Sequence, residues 1–318
     1  MKSASTVWFC LALALGLPQL AWALNSQSFV ASGGSDSADC SRSAPCLTFQ
    51  GAHDKTAAGG QISCVDAADY GPVTITKAIS IVCDEHRGSI YVTYLTSSIQ
   101  VLAGPGDAVL LSGLDLTWAG VSIGTGGVVV IQHCTITYAN QGIVYGIFSP
   151  GIIPAAKLEV YDTRISGGAS GIFIRSVEGA QTRRLTLSHV QLIDNTKGLY
   201  ATRGFSISEP SVDIEIRDSF IRGSSAYGVL VSTGDTPSGR LAMEITNSQI
   251  ISNGDGVYVT GPAAIVRVGS SVIANNSTYG LDGSSVQGVS GSALVSYGDN
   301  QIANNGSGPG VFTTGPQQ

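Results

Sequence analysis

One pattern recurs seven times between Val128 and Val311, and it restricts what the chain can fold into more than any property of its composition. His133, Asp162, His189, Asp218, Asn247, Ser270 and Asp299 fall in one register, and three residues after each comes an aliphatic one: Ile136, Ile165, Leu192, Ile221, Ile250, Ile273 and Ile302. In six blocks a glycine then opens the next apolar run, at Gly142, Gly171, Gly198, Gly228, Gly256 and Gly280. Successive register positions lie 29, 27, 29, 29, 23 and 29 residues apart, the range in which a period means a solenoid or an array.

Within each block the apolar residues alternate, as in Leu158-Glu159-Val160 and Ile172-Phe173-Ile174, the two-residue period of a strand with one buried face. No block carries a helical period, and the connectors are rich in Gly, Ser, Asn and Asp, so strand and turn chemistry dominate. Each coil is expected to be strands alone, stacked in parallel on the coil before. Such a stack buries its inward residues in columns, and its ends need covering. Less regular strands precede the blocks, at Ile62–Val65, Val73–Ile75, Ile79–Val82, Ile90–Tyr94, Ile99–Leu102 and Val109–Leu111.

The blocks Leu158–Ile174, Ile214–Val231 and Met243–Val259, with the tail Leu294–Ile302, resemble the secreted bacterial right-handed parallel β-helix repeat proteins of the pectate-lyase-like superfamily. The resemblance implies an all-β fold, a right-handed parallel β-helix solenoid, closed by a short N-terminal capping helix in which Leu47 and Phe49 share a face with Ala52 and Ala57. That architecture carries lyases, hydrolases, epimerases and adhesins, so it does not select an activity. Ile131-Gln132-His133-Cys134 is faintly similar to a pectate-lyase signature but has Gln where the family has Asp and lacks the preceding Trp. The catalytic motifs of polygalacturonases and alginate epimerases do not occur.

Residues 1–23 have the layout of a secretory signal, with Lys2, an apolar run from Val7 to Leu17 and an Ala21-Trp22-Ala23 cleavage site. The remainder divides into an N-terminal loop and cap at 24–60, the parallel β-helix at 61–312 and a flexible tail at 313–318. The leader implies a secreted or periplasmic protein with no membrane insertion, since no stretch is apolar for long enough to span a bilayer. Without Lys2 the chain has 15 basic and 22 acidic side chains, a balance that argues against nucleic acid as partner. Of six cysteines, Cys10 leaves with the signal; Cys40 with Cys46, and Cys64 with Cys83, are expected to form disulfides in an oxidising compartment. Cys134 is odd and shares its register with Thr163, Ser219 and Ser248, which suits a buried thiol. His53 and Asp54 read as exposed residues of the cap.

Three columns carry candidate chemistry, with equivalent residues of adjacent coils about 4.8 Å apart. The register column His133, Asp162, His189, Asp218, Asn247 points inward by strand parity, as a polar ladder; a metal site at His133, Asp162 and His189 is the weaker reading, because stacking holds the two histidines about 9.6 Å apart. The outward column Glu159, Thr186, Glu215, Glu244, Arg267, with Arg217 beside Glu215, reads either as a solvated ion-pair network or as a carboxylate pair dividing acid and base roles on a sugar, with Glu215, Glu244, Arg217 and Arg267 as the catalytic candidates. The third column, Val144, Phe173, Tyr200, Leu230 and Tyr258, faces outward beside Arg175, Arg183, Arg184, Arg203 and Arg240. Rings stacking on sugar faces and guanidiniums forking to carboxylates would suit an anionic polysaccharide, with Phe173, Arg175, Tyr200, Arg203 and Tyr258 in contact.

These columns leave three readings open. The leading one is an exported monomer or weak oligomer that binds an extracellular glycan or surface polymer without turning it over. The second is a polysaccharide lyase or epimerase acting on uronic acids, with calcium as a cofactor if it is a lyase. The third is a structural adhesin or envelope component, for which the aromatic stripe is a protein interface.

Overall fold

Segments with a two-residue apolar period become strands, and each strand finds its partner one coil away in the sequence. The computed structural model describes residues 24–92, 97–145, 156–176, 182–203, 211–234, 239–289 and 291–316; the leader expected at 1–23 lies outside them. Among the described residues, sheet 1 has 12 strands, from Asn25–Val30 to Thr313–Gly315; sheet 2 has 9, from Gly88–Tyr91 to Gln301–Ala303; sheet 3 has 10, from Val73–Ile75 to Gly308–Val311. Each coil visits the three sheets in turn and returns to a parallel neighbour, by the right-handed connection that twisted strands favour. The fold is a right-handed parallel β-helix.

Stacking turns the apolar period into columns. Ile136, Ile165, Leu192, Ile221, Ile250 and Ile273 are all buried, one above another, on sheet 2. Leu158, Leu185, Ile214, Met243 and Val266 do the same on sheet 1. At roughly 1.5–3 kcal/mol for each large aliphatic side chain fully buried, these columns drive folding. Backbone hydrogen bonds between coils satisfy the polar groups that are buried with them.

Each repeat coil makes two tight corners, and both use the left-handed backbone region. At the first, His133, Asp162, His189, Asp218, Asn247 and Ser270 have φ between 44° and 55°. Their side chains are exposed, which corrects the inward orientation expected from strand parity. A left-handed residue turns the chain and inverts the alternation, so it faces out and the next residue faces in. That next position holds Cys134, Thr163, Val190, Ser219, Ser248 and Ser271, where hydroxyls tie one coil to the next. Ser219 Oγ accepts from Val190 N–H at 3.2 Å and donates to Arg217 O at 2.7 Å, and Ser248 and Ser271 repeat both bonds.

The second corner, between sheets 2 and 3, places Asp194, Gly223, Ser252, Asn275 and Asn304 at positive φ. Behind them Asn195, Asn253 and Asn276 are buried. Asn253 Oδ1 accepts from Ser224 N–H at 3.0 Å, while its Nδ2 donates to Ile221 O at 3.3 Å and to Asn276 Oδ1 at 3.1 Å. Asn276 binds Asn253 N–H and Asn305 in the same way. This asparagine ladder makes a buried amide column acceptable, because every member is bonded along the stack. The glycines that open the sheet 3 strands stand beside it. A Cβ at Gly198 would sit 2.5 Å from Gly228 O and 2.8 Å from Ile221 Cγ2, so only glycine allows the coils to approach here.

The N-terminal end is closed by helix α1, Phe49–Lys55, whose N-cap Thr48 accepts from Gly51 N–H at 2.9 Å. Phe49, Ala52 and His53 form its buried face, whereas Leu47 is exposed and Ala57 has entered the first long strand of sheet 1. His53 is thus an anchor of the cap, contrary to its expected exposure: Nε2 accepts from Thr76 N–H at 3.3 Å and Nδ1 donates to Asp54 at 3.1 Å. The segment read as loop and cap also supplies the strand Asn25–Val30, which pairs with Thr56–Cys64. Both disulfides, Cys40–Cys46 and Cys64–Cys83, hold this end together. At the other end, the expected tail contributes the strand Thr313–Gly315 to sheet 1.

Two substitutions test the corners. Asn253→Ala strips partners from buried backbone groups, at about 1–3 kcal/mol for each group left unpaired; Gly198→Ala overpacks the coil contact, at roughly the same cost. Both should lower the urea midpoint with little change in slope. An unmoved midpoint for either would show that the coils there separate freely.

Candidate functional site

Outward residues on sheet 1 line up as the inward ones do. Thr186, Glu215, Glu244 and Arg267 stand side by side on consecutive coils, and two residues earlier in the same strands Arg184, Asp213, Ala242 and Ile265 form a second column. Ala242 is the short side chain of that column. The dip it leaves is a cleft of about 380 Å³, with Arg184, Asp213, Glu215, Arg240, Glu244 and Arg267 among its lining.

Some of these charges are paired. Arg240 binds Asp213 at 2.8 Å and Arg217 binds Glu215 at 3.2 Å, while Glu159, one coil beyond Thr186, is taken up by Lys157. Arg184, Glu244 and Arg267 have no side-chain hydrogen bond or ion pair among the described residues. A groove that keeps a carboxylate and two guanidiniums unspent beside two exposed ion pairs has donors and acceptors available to a polar ligand. The alternation of sheet 1 puts Arg184 and Asp213 on one face with Thr186 and Glu215, a signal the two-residue period carries in the sequence.

The arginines expected beside the aromatic stripe do not gather there. Arg183 and Arg203 are buried, 2% and 4% exposed, so neither offers charge to a surface ligand. Arg203 donates to Gly239 O at 2.9 Å. Arg184 and Arg240 belong to the sheet 1 cleft, on a different face. Arg175 lies on a sheet 3 strand with Phe173 and pairs with Thr202 of the next coil; Arg203 ends the next strand of that sheet with its side chain buried. Arg175 and Arg203 stand on sheet 3 strands and Arg184 on a sheet 1 strand; the connectors expected to gather these arginines lie largely outside the described residues.

The stripe is a column as expected but not an exposed one: Leu230 is buried and Phe173, Tyr200 and Tyr258 are half-buried. Phe173, Tyr200, Leu230 and Tyr258 occupy one column of sheet 3. Its rings lean on their neighbours, with Phe173 and Tyr200 centroids 5.2 Å apart and Tyr227 stacked on Tyr258 at 5.5 Å. A second, exposed pair of rings, Trp118 on Tyr138 at 5.5 Å, sits at the second corner, both in the left-handed region.

The register column does not assemble a metal site. His133 Nδ1 meets Asp84 Oδ1 at 3.0 Å, and His189 Nδ1 lies 3.9 Å from Asp162 Oδ1; among the described residues no three His, Cys, Asp or Glu side chains converge. Cys134 is buried, and burial pushes its thiol up to about 12.

No family model matches the sequence, and no curated protein matches it. Among solved structures, the chain is similar to a pectate lyase, Pel9A, at 14% identity and a TM-score of 0.49, over 92% of this chain and 77% of that one. It is also similar to a rhamnogalacturonan lyase at 13% identity and a TM-score of 0.40, over 86% of this chain and 74% of that one. The likeness is one of fold.

The thiol supplies a direct test of the inward orientation at the first corner. The thiolate is the reactive form, so Cys134 in the folded protein should resist alkylation through pH 10 and react fully once the chain is unfolded in guanidinium. Rapid labelling of the folded protein at pH 8 would place Cys134 at the surface instead.

Proposed function

We propose that this protein binds an extracellular glycan bearing carboxylates, across the cleft on sheet 1, without turning it over. The observation that carries the reading is the grouping of Arg184, Arg240 and Arg267 around the dip at Ala242, with Glu215 and Glu244 in the same lining. Guanidiniums fork to the carboxylates of uronic acids, and the glutamates accept from sugar hydroxyls. The columns run along the solenoid axis, so a linear polymer can lie across several coils and meet Arg184, Glu215, Glu244 and Arg267 in turn. Export is supported by the secretory layout of residues 1–23 and by two disulfides in the cap, which persist in an oxidising compartment. No helix of the described residues is long and apolar enough to cross a membrane.

A second reading is favoured by one feature, the unpaired Glu244 between Glu215 and Arg267. In a lyase or epimerase acting on uronic acids, a base removes the proton next to the carboxylate while a guanidinium steadies the charge that develops. In a lyase the electron pair then expels the glycosidic oxygen and leaves an unsaturated sugar.

One experiment separates the two. Mature protein is titrated by calorimetry with a panel of polyuronates, with and without calcium, and the same mixtures are followed by ultraviolet absorbance. Binding without an absorbance rise, weakened about tenfold by Arg267→Ala as expected for one charge-assisted contact, supports the binding reading. An absorbance rise lost in Glu244→Gln would establish a lyase, and no heat with any polyuronate would remove both.

A further inference from the structure

The second corner carries bulky rings where most coils keep small turn residues. In the later coils this corner position holds Gly167, Asp194, Gly223, Ser252, Asn275 and Asn304, all at positive φ. Two earlier coils place Trp118 and Tyr138 there, at φ 58° and 55°, a region that bulky side chains avoid. Both rings face solvent, 43% and 52% exposed, and Tyr91, which pairs with Thr117 beside them, is 54% exposed. Rings held in a disfavoured backbone region and left at the surface add nothing to the core.

Together the rings form a shelf. Trp118 and Tyr138 are stacked with an offset, their centroids 5.5 Å apart and their planes 29° from parallel, so part of each face stays uncovered. The next coil makes room for them, since a Cβ at Gly167 would lie 2.7 Å from Tyr138 Cδ1. Thr117, Thr137 and Ser166 continue the Tyr91 column along the rim, and their hydroxyls have no hydrogen-bond partner among the described residues. Rings edged by free hydroxyls match a pyranose, whose C–H faces pack on aromatic rings while its own hydroxyls both donate and accept.

We propose that the Trp118–Tyr138 pair, with Tyr91, is a second carbohydrate site, separate from the sheet 1 cleft, and that it takes an uncharged sugar. A lipid or protein partner would call for a contiguous apolar patch, whereas here the rings alternate with hydroxyl residues. Charge selects the class of sugar. The neighbouring guanidinium, Arg87, is spent on Asp115, on His133 O at 2.7 Å and on Thr135 Oγ1 at 3.0 Å. Arg164 lies against Gln191 of the following coil at 3.5 Å. Beside Tyr91 the rim has a carboxylate, Asp69, which accepts from Tyr91 N–H at 3.3 Å and from Gly71 N–H at 3.1 Å. The rim therefore presents hydroxyls and a carboxylate to a sugar, where the sheet 1 cleft presents Arg184 and Arg267.

The shelf contains its own reporter. Of three tryptophans, Trp8 and Trp22 fall within residues 1–23, so the chain from Leu24 onward has Trp118 alone. That chain is titrated with linear neutral hexasaccharides of glucose, mannose, galactose and N-acetylglucosamine, and Trp118 emission and its quenching by acrylamide are read. The expected result is a saturable change in emission with one or more of these sugars, accompanied by shielding of Trp118 from acrylamide. Tyr138→Gly should weaken that binding about tenfold, as for the loss of one ring contact. Glycine holds this corner in two later coils, at Gly167 and Gly223, so the variant keeps a residue the turn accepts; Tyr138→Asn, after Asn275 and Asn304, is a second of the same kind. Polyuronates that bind in the sheet 1 cleft should leave Trp118 emission unchanged, so failure of the cleft reading and failure of this one are told apart. An emission that none of the four sugars alters, wild-type affinity in both variants, or a response to polyuronates alone would overturn the proposal.

Discussion

The coil-to-coil hydrogen bond governs this molecule. A coil of three short strands contains no sheet of its own, so each backbone N–H and C=O along a strand must find its partner one coil away. Every coil therefore has to rise by one strand spacing, about 4.8 Å, over its whole circuit. The corners are where that is hardest to arrange. An extended residue there would carry the chain on along the strand direction, and the left-handed residues at both corners turn it instead. Non-glycine residues adopt that region at a cost of about 1–2 kcal/mol each, and the side chains directly after them offset it. Ser219, Ser248 and Ser271 at one corner, and Asn195, Asn253 and Asn276 at the other, bond to the next coil through side-chain oxygens.

The interior is so constrained that outward faces become the variable part. Stacking at one strand spacing forces neighbours of one kind together, as with Glu215 and Glu244 on adjacent strands. Like charges so placed repel unless opposite charges stand near, and Arg217 and Arg267 stand there. The cleft follows from the same arithmetic: one small residue, Ala242, in a column of longer ones opens a dip that stacked charges surround. On sheet 3 one outward column is ring-rich, with Phe173, Tyr200 and Tyr258, which gives the solenoid two faces of different character.

A cylinder of coils has a physical weakness at its ends, where strand edges are unpaired. Helix α1 and the strand before it answer this at the N-terminal end, with two disulfides and a set of side-chain bonds. Asp66 belongs to that set: hydrogen bonds from the Ser32 hydroxyl, the Tyr70 hydroxyl and Ser32 N–H hold its carboxyl below the usual carboxylate range. A group depressed in this way contributes its stability above the unfolded-state value and loses it as pH falls through the folded one.

The repeat period and the strand alternation could be read from the residues, because each rests on contacts between positions related by a fixed spacing; the two disulfide pairs could be read from cysteines close in the chain, and the cap from the family resemblance, although only Phe49 and Ala52 of its expected face are buried on the helix. The glutamate column was legible from the fixed spacing too. The direction of the register residues was not: parity holds only while the backbone is extended, and His133 and its equivalents leave that region. Nor was the placing of the arginines. Arg183 and Arg184 are neighbours in sequence, yet one side chain turns into the protein and the other joins Arg240 at the cleft, because a strand sends successive residues to opposite faces. The sequence by itself determined a one-dimensional stack, since periodic burial has no other economical solution for strands of this length. Only the tertiary structure decided which charged and aromatic residues share a surface, since that depends on where each corner turns the chain.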